Sequence, residues 1–184
     1  MAMKYAALLR GINIGGRNKI DMKILKQTFE KAGMEDVVTY INSGNIIFTD
    51  ETTPKGSLPG ILEQAIREDF GLDIKVLIRS KDEIEVVNSA LPASWKNDKE
   101  MKSDVLFLWE DIDEPALLED LKIHPEFDTV IYKPGALLWS VMKENAGKSG
   151  ISKMVGTEIY KHMTVRNVNT FRKIHSLMKD VTET

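Results

Sequence analysis

Val37-Val38-Thr39-Tyr40-Ile41-Asn42-Ser43-Gly44-Asn45-Ile46-Ile47-Phe48-Thr49 decides the fold. Its two ends are β-branched and aromatic, the chemistry of strands, and its middle is turn chemistry. It reads as a hairpin, Val37 to Ile41 and Ile46 to Thr49 joined by a turn at Asn42–Asn45. Upstream, Tyr5 to Leu9 is a short apolar strand. It is followed by a helix that Asp21 can cap, with Met22, Leu25, Phe29 and Ala32 at helical spacing and Gly33 as its stop. Downstream, Ser57 can cap a helix carrying Leu58, Ile61, Leu62, Ala65, Ile66 and Phe70, closed by Gly71. Ile74, Val76 and Ile78 then alternate with polar residues as a strand. The order is β-α-β-β-α-β, the split βαβ or ferredoxin-like plait.

That topology has a consequence for function. A right-handed crossover makes the first two strands parallel, so the first strand ends at the edge where the second turns into the third. The loop Arg10-Gly11-Ile12-Asn13-Ile14-Gly15-Gly16-Arg17-Asn18-Lys19 is therefore expected beside the Asn42–Asn45 turn. Glycines can point several N–H groups at one spot, and cations beside them, with a helix N-terminus behind, suit an anion. The competing reading is a solvated glycine-rich connection, with Asn42 to Asn45 serving only the hairpin.

The second half begins with a capping box, Ser80 to Glu83, ahead of a helix with Ile84, Val87 and Leu91. Residues 92–102 are polar and irregular, a linker by composition. Strands are expected at Val105–Trp109, Val130–Tyr132 and Leu137–Met142, the last two joined by Lys133-Pro134-Gly135-Ala136 in type II geometry. A short helix holds Leu117, Leu118 and Leu121, another holds Ile151, Met154, Val155 and Ile159. The last carries Val168, Phe171, Ile174 and Met178 behind an Asn167 or Asn169 cap, where a fourth strand would complete the plait. The expected class is α+β: two ferredoxin-like halves with an added C-terminal helix, residues 1–80 with the glycine-rich loop and residues 81–184 as the second unit.

The 184 residues are 42% hydrophobic and 29% charged, an ordinary globular composition, and the formal net charge of −3 argues against bulk-charge nucleic-acid binding. The absence of cysteine excludes disulfides, thiolate catalysis and cysteine zinc sites. The early apolar run is too short for a signal peptide or membrane span, so the expectation is a cytoplasmic protein with no membrane association.

Residues 11–18 narrowly miss a phosphate-binding P-loop. Arg17 stands where the lysine belongs, Asn18 where the magnesium-binding hydroxyl belongs, and the plait is the wrong topology. Val105 to Asp111 looks like the acidic strand of such enzymes, a common pattern. There is no Rossmann glycine motif. His124, His162 and His175 lack metal-ligand spacing, so no metal and no cofactor is expected. His162 reads as a helix C-terminal cation and His175 as a packed boundary residue. Trp95, Trp109 and Trp139 read as packing residues.

Three stretches carry a resemblance: LLRGINIGGRNKIDM at Leu8–Met22, TYINSGNIIF at Thr39–Phe48 and TVRNVNTFRKI at Thr164–Ile174. Together they resemble a bacterial family, domain of unknown function 1697, over nearly the whole chain. The resemblance implies two linked ferredoxin-like units, imports no activity, and adds Arg166 and Asn167 to the candidate site. Val168 departs from it, standing where the family usually has Trp.

Two functions remain. The first is a binding protein for an anionic ligand, such as a nucleotide, a phosphorylated metabolite or a nucleic-acid end. Arg10, Arg17, Lys19 and Arg166 supply charge. Asn13, Asn18, Asn42, Ser43, Asn45 and Asn167 supply hydrogen bonds, and Gly15 and Gly16 supply backbone N–H groups. Arg166, just ahead of the last helix, is expected to point into the pocket formed by the Arg10–Lys19 and Asn42–Asn45 loops and to face solvent there. The second is an enzyme of phosphoryl or acyl transfer or hydrolysis in the same pocket, with Ser43 or a water as nucleophile, although no acid–base pair is visible.

Overall fold

The computed structural model describes residues 2–179. Met1 and residues 180–184, the outer ends of the two expected halves, lie outside the described residues. The chain divides into two compact units, Met1–Ile84 with Ile174–Thr184, and Glu85–Lys173.

In the first unit, β1 (Met3–Leu9), α1 (Met22–Lys31), β2 (Glu35–Tyr40), β3 (Asn45–Asp50), α2 (Leu58–Phe70) and β4 (Val76–Ser80) follow one another. The sheet order is β2-β3-β1-β4 with every neighbour antiparallel, the ferredoxin-like arrangement expected from the hairpin. Tyr5, Ala7, Leu9, Ile46, Phe48, Val76 and Ile78 pack from one sheet face on Leu25 and Phe29 of α1 and Leu58, Leu62 and Ile66 of α2. Phe48 is the centre of that layer, tilted against Tyr5 at 5.6 Å and edge-on to Phe29 at 5.8 Å. The alternate residues Ala6, Leu8, Ile47 and Leu77 are buried as well. Burial on both faces is why β1 is a continuous apolar run.

Local signals fix most boundaries. The Asp21 carboxylate accepts the N–H groups of Lys23 and Ile24 at 2.8 and 3.2 Å and starts α1. Gly71, left-handed at φ 67°, ends α2. Ser57 does not cap α2 with its side chain. A 3-10 turn over Lys55–Ser57 runs straight into that helix instead.

The second unit repeats the plan: β5 (Met101–Leu108), α4 (Leu117–Asp120), β6 (Thr129–Lys133), β7 (Ala136–Met142), α5 (Gly150–Met154) and β8 (Met163–Asn167), in sheet order β6-β7-β5-β8. Thr164 to Asn167, expected to lead directly into the last helix, instead form the fourth strand that completes the plait. α3 (Lys81–Ala90) follows β4, and α6 (Val168–Leu177) follows β8, each directly. Their starts are capped alike. Ser80 and Glu83 exchange backbone-to-side-chain bonds at 2.9 and 3.2 Å, and the Asn167 side chain accepts the Thr170 N–H at 2.9 Å.

The repetition extends to register. Tyr5 lies opposite Phe48 and Ser80, and Asp104 lies opposite Trp139 and Asn167. What differs is the helical layer. The helix expected through Ile159 stops at Met154, because Val155 turns out of helical geometry and Gly156 takes φ 91°. Leu117, Ile151 and Met154 still cover Leu106, Leu108, Leu137, Trp139 and Met163.

Short helices leave this layer dependent on a buried carboxylate. Asp128 accepts the N–H groups of His124 and Gly150, each at 2.8 Å, and the Ser149 hydroxyl at 2.5 Å. Desolvation raises its pKa, but the hydrogen bonds from Ser149, Gly150 and His124 outweigh that and hold it below the ordinary 3.8. A depressed folded-state pKa gives stability that is complete above about pH 4 and is lost as pH falls through the folded value. Asp128→Ala is expected to cost about 3 kcal/mol at pH 7, since it strands the buried Ser149 and Gly150 donors and the part-buried His124 N–H, and to flatten the acid limb of the stability profile; urea melts from pH 7 to pH 2 check both.

Candidate functional site

The last N–H of β1 and the next one are both tied down. Leu9 donates to the Gly44 carbonyl at 2.9 Å and Arg10 to the Lys75 carbonyl at 3.0 Å. The chain then leaves the sheet as a loop pinned at both ends by buried isoleucines, Ile12 and Ile20. Between the pins it forms a miniature hairpin. Asn13 N–H donates to Asn18 O at 3.0 Å, Arg17 N–H to Ile14 O at 2.8 Å, and Ile14 bridges Arg17. Gly15 and Gly16, at φ 56° and 78°, are the two central residues of a type I′ turn, which requires positive φ at both. The glycine pair therefore answers first to turn geometry. The N–H groups of Gly15 and Gly16 still have no protein acceptor among the described residues.

The asparagines hold this loop. The Asn13 carboxamide accepts Ile20 N–H at 2.8 Å and donates to Ile20 O at 3.1 Å and to Asn42 O at 2.9 Å. Asn18 donates to Gly11 O at 2.9 Å. The bond from Asn13 to Asn42 joins the loop to the β2–β3 turn, so the two loops meet as the topology requires. In that turn Asn45 is fully buried and donates to Tyr40 O at 3.0 Å and to the Ser43 hydroxyl at 2.9 Å. Ile41, half-exposed, sits at φ 48°, a left-handed geometry that costs a β-branched residue about 1–2 kcal/mol.

An open cleft forms where the loops converge, lined by Asn13, Gly16, Lys19, Ile20, Asp21 and Asn42. Arg17 and Lys19 are exposed, and neither is ion-paired among the described residues; Arg10 is half-buried. Asn42 is exposed and contributes its carbonyl to Asn13. The helix terminus behind the loop carries the cap expected at Asp21. Asp21 already satisfies the first-turn N–H groups of α1 and brings a carboxylate to the cleft wall.

Arg166 is a further correction. It is 6% exposed, on β8 of the second unit opposite Val105, and does not face solvent. Its guanidinium donates to the Thr164 hydroxyl and to the Val165 carbonyl, both at 2.9 Å, and burial lowers its pKa to about 10. Arg79 holds the matching register position on β4, opposite Ala6, and donates to Ile78 O at 3.1 Å. Asn167 is the α6 cap. The sequence also gave no sign of the 2.5 Å pair between His162 Nδ1 and Asp111, whose partners lie too far apart along the chain for spacing to signal them.

Two substitutions separate scaffold from site. A Cβ on Gly44, at φ 84°, would lie 2.8 Å from Leu9 Cβ and 2.9 Å from Ile12 Cδ1, whereas one on Gly15 meets nothing within 4 Å. Gly44→Ala is expected to lose about 3 kcal/mol and Gly15→Ala about 1 kcal/mol in denaturant melts. Arg166→Ala is expected to cost about 3 kcal/mol, and Arg166→Met clearly less because it refills the volume.

Residues 3–139 match the family described as protein of unknown function (DUF1697), a span that includes both loops but ends before Thr164–Ile174. Among solved structures the chain is similar to that of a conserved bacterial protein from Streptococcus pneumoniae. The two are 32% identical with a TM-score of 0.83, over 97% of this chain and 100% of that one. No curated protein matches the chain. The family match holds over the whole first sheet, its two converging loops and the start of the second sheet, and the chain belongs to the DUF1697 family of proteins of unknown function.

Proposed function

We propose that this protein binds an anionic, phosphate-bearing ligand, such as a nucleotide, a phosphorylated metabolite or a nucleic-acid end, in the cleft between the Arg10–Lys19 loop and the Asn42–Asn45 turn. One observation carries the reading: among the described residues Arg17 and Lys19 form no ion pair, and the Gly15 and Gly16 N–H groups of the same loop have no acceptor. Cations combined with backbone N–H donors are the usual equipment for phosphate oxygens. The loop's shape is held by its own asparagines, so little ordering is lost on binding. Binding fits the cleft better than catalysis does. The titratable side chains lining it are Lys19 and Asp21, and Asp21 is engaged at the α1 terminus. This reading sets the protein in the cytoplasm, where such ligands are abundant.

The test is a calorimetric titration with inorganic pyrophosphate, nucleoside triphosphates, sugar phosphates and a short 5′-phosphorylated oligonucleotide. At least one is expected to bind, with affinity falling as salt rises. Arg17→Gln with Lys19→Gln is expected to weaken that ligand by roughly a hundredfold, about tenfold per charge-assisted bond, without moving the melting temperature of the free protein. Silence from the whole panel, or binding indifferent to the double substitution, rejects the reading.

A further inference from the structure

The second unit holds a small cavity of about 80 Å³ between the segment after α4 and the segment that includes α5. Leu121, Met154 and Ile159 give it apolar walls, and Asp120, Lys122 and Lys153 are the charged residues at its edge. Gly150 completes the lining without a side chain. A Cβ there would lie 1.9 Å from the Lys122 carbonyl oxygen, so α5 starts in direct backbone contact with the 120–122 segment. Thr157 also lines the cavity, but its hydroxyl is already donated to Met154 O at 2.6 Å. Among the described residues Lys122, Lys153 and Asp120 form no ion pair, so the three charges are available to a ligand.

We propose that this cavity binds a small monocarboxylate carrying a short aliphatic chain. Two ammonium groups and one carboxylate leave a local charge of one positive unit, which matches a monoanion and sets Asp120 against a second negative group. The walls suit an alkyl chain, and the Met154 thioether side chain adapts to its outline. Size sets the chain length. A cavity of about 150 Å³ accommodates the six carbons of benzene, so this one, at about 80 Å³, holds about three, the alkyl part of a butanoate. That volume and charge exclude a nucleotide, so this site is separate in chemistry from the phosphate site proposed above and does not rest on it.

Methyl-detected NMR of the full chain, labelled at methionine and isoleucine, tests the proposal at constant ionic strength with sodium butanoate, butanamide and disodium succinate. Butanoate is expected to shift the Met154 and Ile159 methyl signals saturably, with a Kd on the order of millimolar for so few atoms. Butanamide and succinate are expected to bind about tenfold more weakly, for want of the charge in one case and through Asp120 in the other. Lys122→Gln with Lys153→Gln, both at exposed positions, is expected to abolish the preference for butanoate over butanamide while the rest of the spectrum is unchanged. The proposal is overturned if the two methyl signals do not saturate with butanoate, if butanamide or succinate binds as well as butanoate, or if the double variant keeps the preference.

Discussion

Two backbone hydrogen bonds at the end of the first strand of each unit govern the rest. Leu9 donates to Gly44 and Leu108 to Gly135, both at 2.9 Å. The next residues, Arg10 and Trp109, donate to the carbonyls just ahead of the fourth strands, Lys75 at 3.0 Å and His162 at 2.9 Å. Both glycines are left-handed, at φ 84° and 93°. This clamp holds the central strand to both neighbours up to its last residue, so the chain leaves the sheet at one defined point beside the hairpin turn. At Gly44 the turn presses so closely on Leu9 and Ile12 that a Cβ would force a shift in one of them.

The same clamp launches opposite chemistry in the two units. After β1 it releases a basic loop with Arg10, Arg17 and Lys19. After β5 it releases an acidic turn over Glu110–Ile112, followed by Asp113, whose carboxylate accepts the Tyr132 hydroxyl at 2.8 Å and the Gly135 N–H at 3.0 Å. The second unit thus uses an acid to hold its own hairpin where the first uses the Asn13 carboxamide to reach Asn42. Equivalent register with different side-chain solutions is what two copies of one fold look like when only the backbone constraint is shared.

Much of this was legible because it is local. The Asn42–Asn45 turn, the Asp21 cap, the Ser80–Glu83 box, the Gly71 stop and the Asn167 cap each depend on residues a few positions apart. β8 was not legible. Its five residues place polar Thr164 and Arg166 on one side, and that side is buried, so neither alternation with solvent nor an apolar run marks it as strand. The same burial hid the role of Arg166, because an arginine before a helix reads as exposed until its neighbours in space are known. The anchoring of α5 by Asp128 escaped for a related reason: its acceptor and its donors are separated by a whole strand pair.

In the candidate site the residue types were readable but their division of labour was not. A stretch of glycine, asparagine and cations is compatible with a ring of N–H groups around an anion and equally with a type I′ hairpin. The difference lies in φ at Gly15 and Gly16 and in which carbonyl each asparagine reaches. Those bonds commit Asn13, Asn18 and Asn45 to the protein itself, and Asp21 to its helix. A ligand could recruit these amides only by opening the loop that they close. Among the described residues, the polar groups of the loop that carry no such commitment are the side chains of Arg17 and Lys19 and the N–H groups of Gly15 and Gly16, all hydrogen-bond donors and two of them cationic.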